Sequence, residues 1–172
     1  MKSLIAVAAL IVFANAPRLA HAAPSTSGYC STPPYHQFDF WLGDWDTFDV
    51  GVREPSQARN RVTRILGGCV VHERYAGSNG LIGESFSIYD AVRKVWHQTW
   101  VTNRGHLLVV EGGMHDGRMM LQGRDRDTDG KPIDIRVSWW RVPDGVRERS
   151  VASNDGGKTW KTQFDIEFRH HH

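Results

Sequence analysis

Residues 82–125 read IGESFSIYDAVRKVWHQTWVTNRGHLLVVEGGMHDGRMMLQGRD. Short runs, either apolar or alternating apolar with polar, are separated here by Asn103-Arg104-Gly105 and Asp116-Gly117. Such turn signals supply the positive φ angles of tight hairpins, so the stretch reads as strand, turn, strand. The punctuation continues outward as Asn79-Gly80, Asp129-Gly130, Asp144-Gly145 and Asp155-Gly156-Gly157, and from Asn103 onward it recurs about every 11 to 15 residues. No long stretch carries helical periodicity, and none offers the dozen-residue crossover that a parallel sheet needs. The spacing predicts ten strands, at about 43–51, 58–66, 69–76, 82–90, 94–102, 106–113, 118–125, 132–141, 145–153 and 159–168, with one short helical turn at 36–42. Ten sequential strands leave two unpaired edges unless the sheet closes. The expected fold is therefore all-β, a single antiparallel up-and-down β-barrel, with a sandwich as the alternative.

The N-terminus carries the pattern of a secretory signal: Lys2, an apolar run from Leu4 to Ala16 interrupted only by Asn15, and the small-residue site Ala20-His21-Ala22. Ala14-Asn15-Ala16 offers a second cleavage site. The run is shorter than the roughly 20 apolar residues of a membrane-spanning helix. The expected organisation is a signal peptide at 1–22, a leader at 23–35, the barrel at 36–168 and a tail or tag remnant at 169–172. No transmembrane segment is expected after cleavage, and the compartment is periplasmic or secreted. The 21 Lys and Arg against 19 Asp and Glu fall to parity once Lys2 and Arg18 leave with the signal. A neutral mature chain speaks against nucleic acid or a polybasic membrane patch as partner. The two cysteines, Cys30 and Cys69, both lie in the mature part, and a pair in an oxidising compartment points to a disulfide.

Ser153-Asn154-Asp155-Gly156-Gly157-Lys158-Thr159-Trp160 matches the Asp-box pattern S-x-D-x-G-x-T-W. It resembles the turns of sialidase propellers, but it occurs once and so reads as a structural hairpin. Upstream, Phe38-Asp39-Phe40-Trp41-Leu42-Gly43-Asp44-Trp45-Asp46 contains a G-x-W. Together with Gly68-Cys69-Val70-Val71-His72-Glu73, Tyr89-Asp90, Trp96-His97-Gln98-Thr99-Trp100 and the Asp-box, this string resembles a bacterial family of exported lipocalin-like (calycin-type) domains of unknown function. The likeness covers roughly residues 36–168. More distantly the chain is similar to nitrobindins and fatty-acid-binding barrels. The resemblance implies a barrel with Trp45 plugging one end. Nitrobindins hold haem through a His near the C-terminal end of the barrel, whereas the last expected strands here carry no His before His170-His171-His172.

Side-chain alternation assigns faces. Cys69, Val71, Glu73 and Tyr75 share one face, whose apolar character marks it as interior and puts the Glu73 carboxylate inside the barrel. A buried carboxylate needs a partner or takes up a proton. Ser85, Ser87 and Tyr89 share a face of the next strand. Trp96, Gln98 and Trp100 follow as a flat apolar wall with one polar handle, suited to a planar or amphipathic ligand. Arg136, Ser138 and Trp140 form another set, and Arg147, Arg149 and Val151 a further one. Arg136 or Arg147 is expected either to neutralise Glu73 or to receive an anionic ligand head, as an internal Arg does in fatty-acid-binding barrels. One misplaced bulge would exchange Glu73 for His72 and Gln98 for His97. His106 and His115 lack metal-ligand spacing, and G-x-S-x-G, P-loop and C-x-x-C motifs are missing from the chain, so neither metal nor cofactor is expected.

The expected partner is a small hydrophobic or amphipathic molecule, held by Glu73, Tyr75, Ser85, Tyr89, Trp96, Gln98, Trp100 and Arg136. One alternative is an enzyme of isomerase or lyase type, with Glu73 as general acid or base and Tyr89 or Arg147 stabilising negative charge. The other is an envelope interaction protein whose barrel interior is filled.

Overall fold

The structure, a computed structural model, describes residues 27–172. The expected signal peptide lies outside the described residues. A short extended piece, β1 (Ser27–Cys30), precedes ten barrel strands: β2 (Gly43–Asp49), β3 (Arg59–Ile65), β4 (Val70–Ala76), β5 (Ile82–Asp90), β6 (Val95–Thr102), β7 (Leu107–His115), β8 (Arg118–Arg126), β9 (Pro132–Val142), β10 (Gly145–Ser153) and β11 (Lys161–His170). Each strand pairs antiparallel with its sequence neighbour, and β11 pairs with β2 to close a ten-stranded up-and-down barrel. Closure satisfies the backbone groups that two edges would leave open. The turn chemistry works as the sequence suggests. Asp116 and Gly117 both have positive φ (48° and 76°) and join His115 to Arg118 in a two-residue hairpin of the primed type.

The strands deviate from expectation mainly at β11. Thr159 and Trp160 are held in the Asp-box, so the strand begins at Lys161 and runs on to His170, which pairs with Trp45. His170 therefore belongs to the wall, its ring stacked on Trp45 at 4.2 Å, and His171 hydrogen-bonds to Asp46 at 2.9 Å. These residues are part of the barrel, not a tail beyond it. In the Asp-box, Asp155 Oδ1 accepts from the backbone N–H groups of Lys158 (3.0 Å) and Thr159 (2.9 Å), and Ser153 Oγ accepts from Gly157 N–H (2.8 Å).

The expected helical turn at 36–42 is two short 3-10 turns, Pro33–His36 and Asp39–Trp41. They carry Phe38 and Trp41 into one end of the barrel, where both are fully buried. Phe38 stacks on Trp41 at 5.0 Å and meets Trp96 and Trp139 edge-on at 5.6 and 5.2 Å. Trp45 sits at this end too, its Nε1–H donating to the Trp41 carbonyl at 3.0 Å, but Phe38 and Trp41 do the closing. Arg64, on β3, anchors the segment from the wall through Asp39 and the backbone carbonyls of Tyr35 and Gly68. The Cys30–Cys69 disulfide ties β1 to the turn just before β4, with Cα atoms 5.1 Å apart.

Candidate functional site

The interior has two unlike halves. At the plugged end lie Phe38, Trp41, Trp96, Trp139, Met119, Val146 and Phe168, all essentially solvent-free. Toward the other end the inward positions turn polar. They hold Asn60 on β3, Glu73 and Tyr75 on β4, Ser85 and Ser87 on β5, Gln98 and Trp100 on β6, and Glu148 on β10.

The polar groups form a chain. Asn60 Nδ2 donates to Glu73 Oε1 at 2.9 Å, and Ser85 Oγ donates to Glu73 Oε2 at 2.7 Å. Gln98 Nε2 donates to Ser87 Oγ at 3.0 Å and more weakly to Ser85 Oγ at 3.4 Å. Among the described residues no cation approaches Glu73. Burial therefore pushes its carboxyl up to about 7, against the opposing pull of the Ser85 and Asn60 hydrogen bonds.

Glu148 faces the same space. Burial raises its proton affinity well above the ordinary carboxyl value, and the charge of Glu73 raises it further. Among the described residues no hydrogen bond of normal geometry reaches its carboxylate. Trp139, its cross-strand neighbour, lies near enough for its indole N–H to favour the charged form, and the buried Trp139 Nε1 has no partner in normal hydrogen-bond geometry. Asn60 Oδ1 is likewise buried and unpartnered. Tyr75 closes the set. Its phenol is pushed up by burial and then by the charges of Glu148, Glu73 and Asp49.

Glu148 faces the interior yet keeps part of its surface accessible, and so do the inward Tyr75, Trp100, Leu108, Ile133 and Ile166. At this end the inward side chains do not cover one another completely. Trp100 lies flat over Gly83, where a Cβ would come within 2.3 Å of its ring, and meets Tyr75 edge-on at 6.3 Å. A glycine in the wall thus seats an aromatic panel along the lumen.

The expected site residues divide accordingly. Glu73, Tyr75, Ser85, Gln98 and Trp100 come together in the open half. Trp96 does not belong with them: it is buried in the plug, its Nε1–H donating to Gln37 Oε1 at 3.1 Å. Tyr89 also lies at the plugged end, against Tyr35 and Trp96. The two arginines are corrected outright. On β9 the inward face is Ile133, Ile135, Val137 and Trp139, so Arg136 points outward and lies over the Trp160 ring at 4.4 Å. On β10 the inward face is Val146, Glu148, Ser150 and Ala152. Arg147 is outside, forked onto Asp165 through two 2.7 Å hydrogen bonds. Neither neutralises Glu73, and Arg147 is not beside it to stabilise charge.

Sequence reasoning missed Glu148 and Asn60. The signal for β9 was present: Ile133, Ile135, Val137 and Trp139 are a more apolar set than Arg136, Ser138 and Trp140, and the more apolar face goes inside. His72 and His97 point outward, onto Glu84 (2.8 Å) and Glu111 (2.9 Å).

Outside the barrel, a groove of about 610 Å³ at the plugged end is lined by Asp39, Phe40, Arg118, Trp140 and Arg141 among others. It is open to solvent and its cations already cover rings: Arg118 lies over Trp140 at 4.4 Å and Arg141 over Phe40 at 5.5 Å. Among the described residues no group of three His, Cys, Asp or Glu is placed to hold a metal ion, and no helix is long and apolar enough to cross a membrane. No protein-family model matches the chain, and no curated protein matches it.

Proposed function

We propose that the protein is an exported lipocalin-like carrier that holds a small amphipathic molecule in the open half of its lumen. The polar end of the ligand meets Glu73, Gln98 and Glu148, and its apolar part lies against Trp100, Tyr75 and Leu108. One observation carries this reading. Inward side chains in that half stay partly uncovered while a buried polar atom beside them, Asn60 Oδ1, lacks a partner. Native proteins rarely leave such atoms unsatisfied without water or a ligand to meet them. The half-covered lining speaks against a filled barrel serving only as an interaction scaffold. Export is supported by the signal-like N-terminus and by the disulfide.

Trp100 makes the reading testable by fluorescence. A panel of lipids, aromatics and haem should contain members that quench or shift tryptophan emission with saturation. A panel without effect would remove the support for carriage.

A second reading rests on the raised proton affinity of Glu73. A carboxyl poised near neutral pH in an apolar cavity can act as general acid or base. In this geometry its partners would be Tyr75 and Glu148, not Tyr89 and Arg147. Glu73→Gln should then abolish turnover of a proton-transfer substrate while the fold persists; retained turnover removes Glu73 from that role.

A further inference from the structure

The middle of the lumen is acidic. Basic side chains at inward register positions lie, among the described residues, at its two ends: Arg64, Arg141 and His170 at the plugged end, and His106 and the exposed Lys161 at the opposite mouth. Arg64 is bound to Asp39, Arg141 lies over Phe40 and His170 stacks on Trp45. Between the two ends the inward ionisable groups are Glu73, Glu148 and Tyr75, with Asp49 and Asp125 at the rim. Asp125 accepts from His106 at 2.9 Å. The strands flanking Glu73 offer it Asn60 and Val62 from β3 and Ser85 and Ser87 from β5. Those flanking Glu148 offer Val137 and Trp139 from β9 and Ile166 from β11. Among the described residues a fatty-acid carboxylate finds no cation beside Glu73 or Glu148.

We infer that the ligand's polar end is a protonated amine, seated between the Glu73 and Glu148 carboxylates with Asn60 Oδ1 as third acceptor. The inference rests on the carrier reading of the lumen. An ammonium has three N–H donors and no acceptor, and the inward face here offers as acceptors Glu73, Glu148, which feels the charge of Glu73, and the unpartnered Asn60 Oδ1. Charge-assisted hydrogen bonds of this kind are shorter and stronger than neutral ones. The Tyr75 and Trp100 rings beside it favour a cation at their faces. The amine also gives the unpartnered Asn60 Oδ1 a donor. A lone acid pair would instead sit protonated, and binding should release protons as the carboxyls ionise.

A matched set of dodecylamine, dodecanol and dodecanoic acid, titrated at pH 8 and below micellar concentrations with tryptophan fluorescence as readout, separates the possibilities. The inference expects the amine to bind at least tenfold more tightly than the other two. It expects the Glu73→Gln/Glu148→Gln double variant to lose that preference while still binding dodecanol. Equal or tighter binding of the alcohol or the acid overturns the inference and leaves carriage standing, as does an amine preference that survives in the double variant. If none of the three binds, the carrier reading falls and this inference with it. A second measurement needs no variant: in calorimetry between pH 5.5 and 8, amine binding to the native chain should tighten with rising pH and depend on the ionisation enthalpy of the buffer. Binding that is flat with pH and insensitive to buffer overturns the inference.

Discussion

Glu73→Gln is the perturbation whose outcome the structure specifies best. The carboxyl is raised from 4.5 to about 7 by burial. Between those two values the folded chain holds a proton that the unfolded chain has released. A raised acid therefore contributes stability that is present below the unfolded value and is lost as pH rises through the folded one. At about 1.4 kcal/mol per pH unit, the loss across that window is about 3 kcal/mol. Glutamine copies the neutral form. Its Oε1 can accept from Asn60 Nδ2, and its Nε2 can donate to Ser85 Oγ, whose hydroxyl hydrogen is free to turn. The variant should match the native chain at pH 5. At pH 8.5 it should be more stable by about 3 kcal/mol, or about 6 to 12 °C in Tm for a domain of this size. Thermal unfolding followed by circular dichroism at pH 5, 7 and 8.5 measures this. Groups with depressed values, such as Glu84 and Glu111, change their contribution at lower pH and are common to both proteins. A variant destabilised equally at every pH, or a native chain that gains stability from pH 5 to 8, would refute the reasoning.

Three further outcomes follow from the packing. Cys30→Ser opens a loop spanning 39 residues and should cost about 4 kcal/mol of unfolding free energy in the loop-entropy account. Urea denaturation with and without reductant should show the gap in the native chain and none in the variant. Trp41→Ala empties a fully buried site in the plug and should cost about 3 to 5 kcal/mol, read as a lower denaturant midpoint, and an unchanged midpoint would mean that the plug does not close the barrel. Gly83→Val places a side chain where the Trp100 ring now lies, so the near-ultraviolet signal should change while the far-ultraviolet strand signal persists; an unaltered tryptophan signal would show that the panel is not seated on this glycine.

The barrel was legible because its turns are written into the sequence. Asn-Gly and Asp-Gly pairs stand between runs that can only be strands, and the observed strands follow them closely. Glu73, Ser85, Gln98 and Trp100 were legible for a related reason: on β4 and β6 one alternate set is clearly the more apolar, so the face is assigned locally. On β9 and β10 the attraction of arginines as partners for Glu73 overrode that rule. Trp140 adds to this, because an outward Trp covered by Arg118 and Arg147 looks in composition like an inward one. The meeting of Glu73 with Glu148 was beyond local reading. It depends on closing β11 against β2, which sets the lumen's cross-section, and no short-range pattern encodes a partner on a distant strand.

The central claim is that the open half of the lumen holds a small molecule. Native mass spectrometry of the full-length chain, purified from its own secretory route without denaturant, tests it most directly. The account predicts a stoichiometric adduct that dissociates on unfolding and is displaced by dodecylamine. A population carrying only the mass of the polypeptide, unchanged by added dodecylamine, would contradict it.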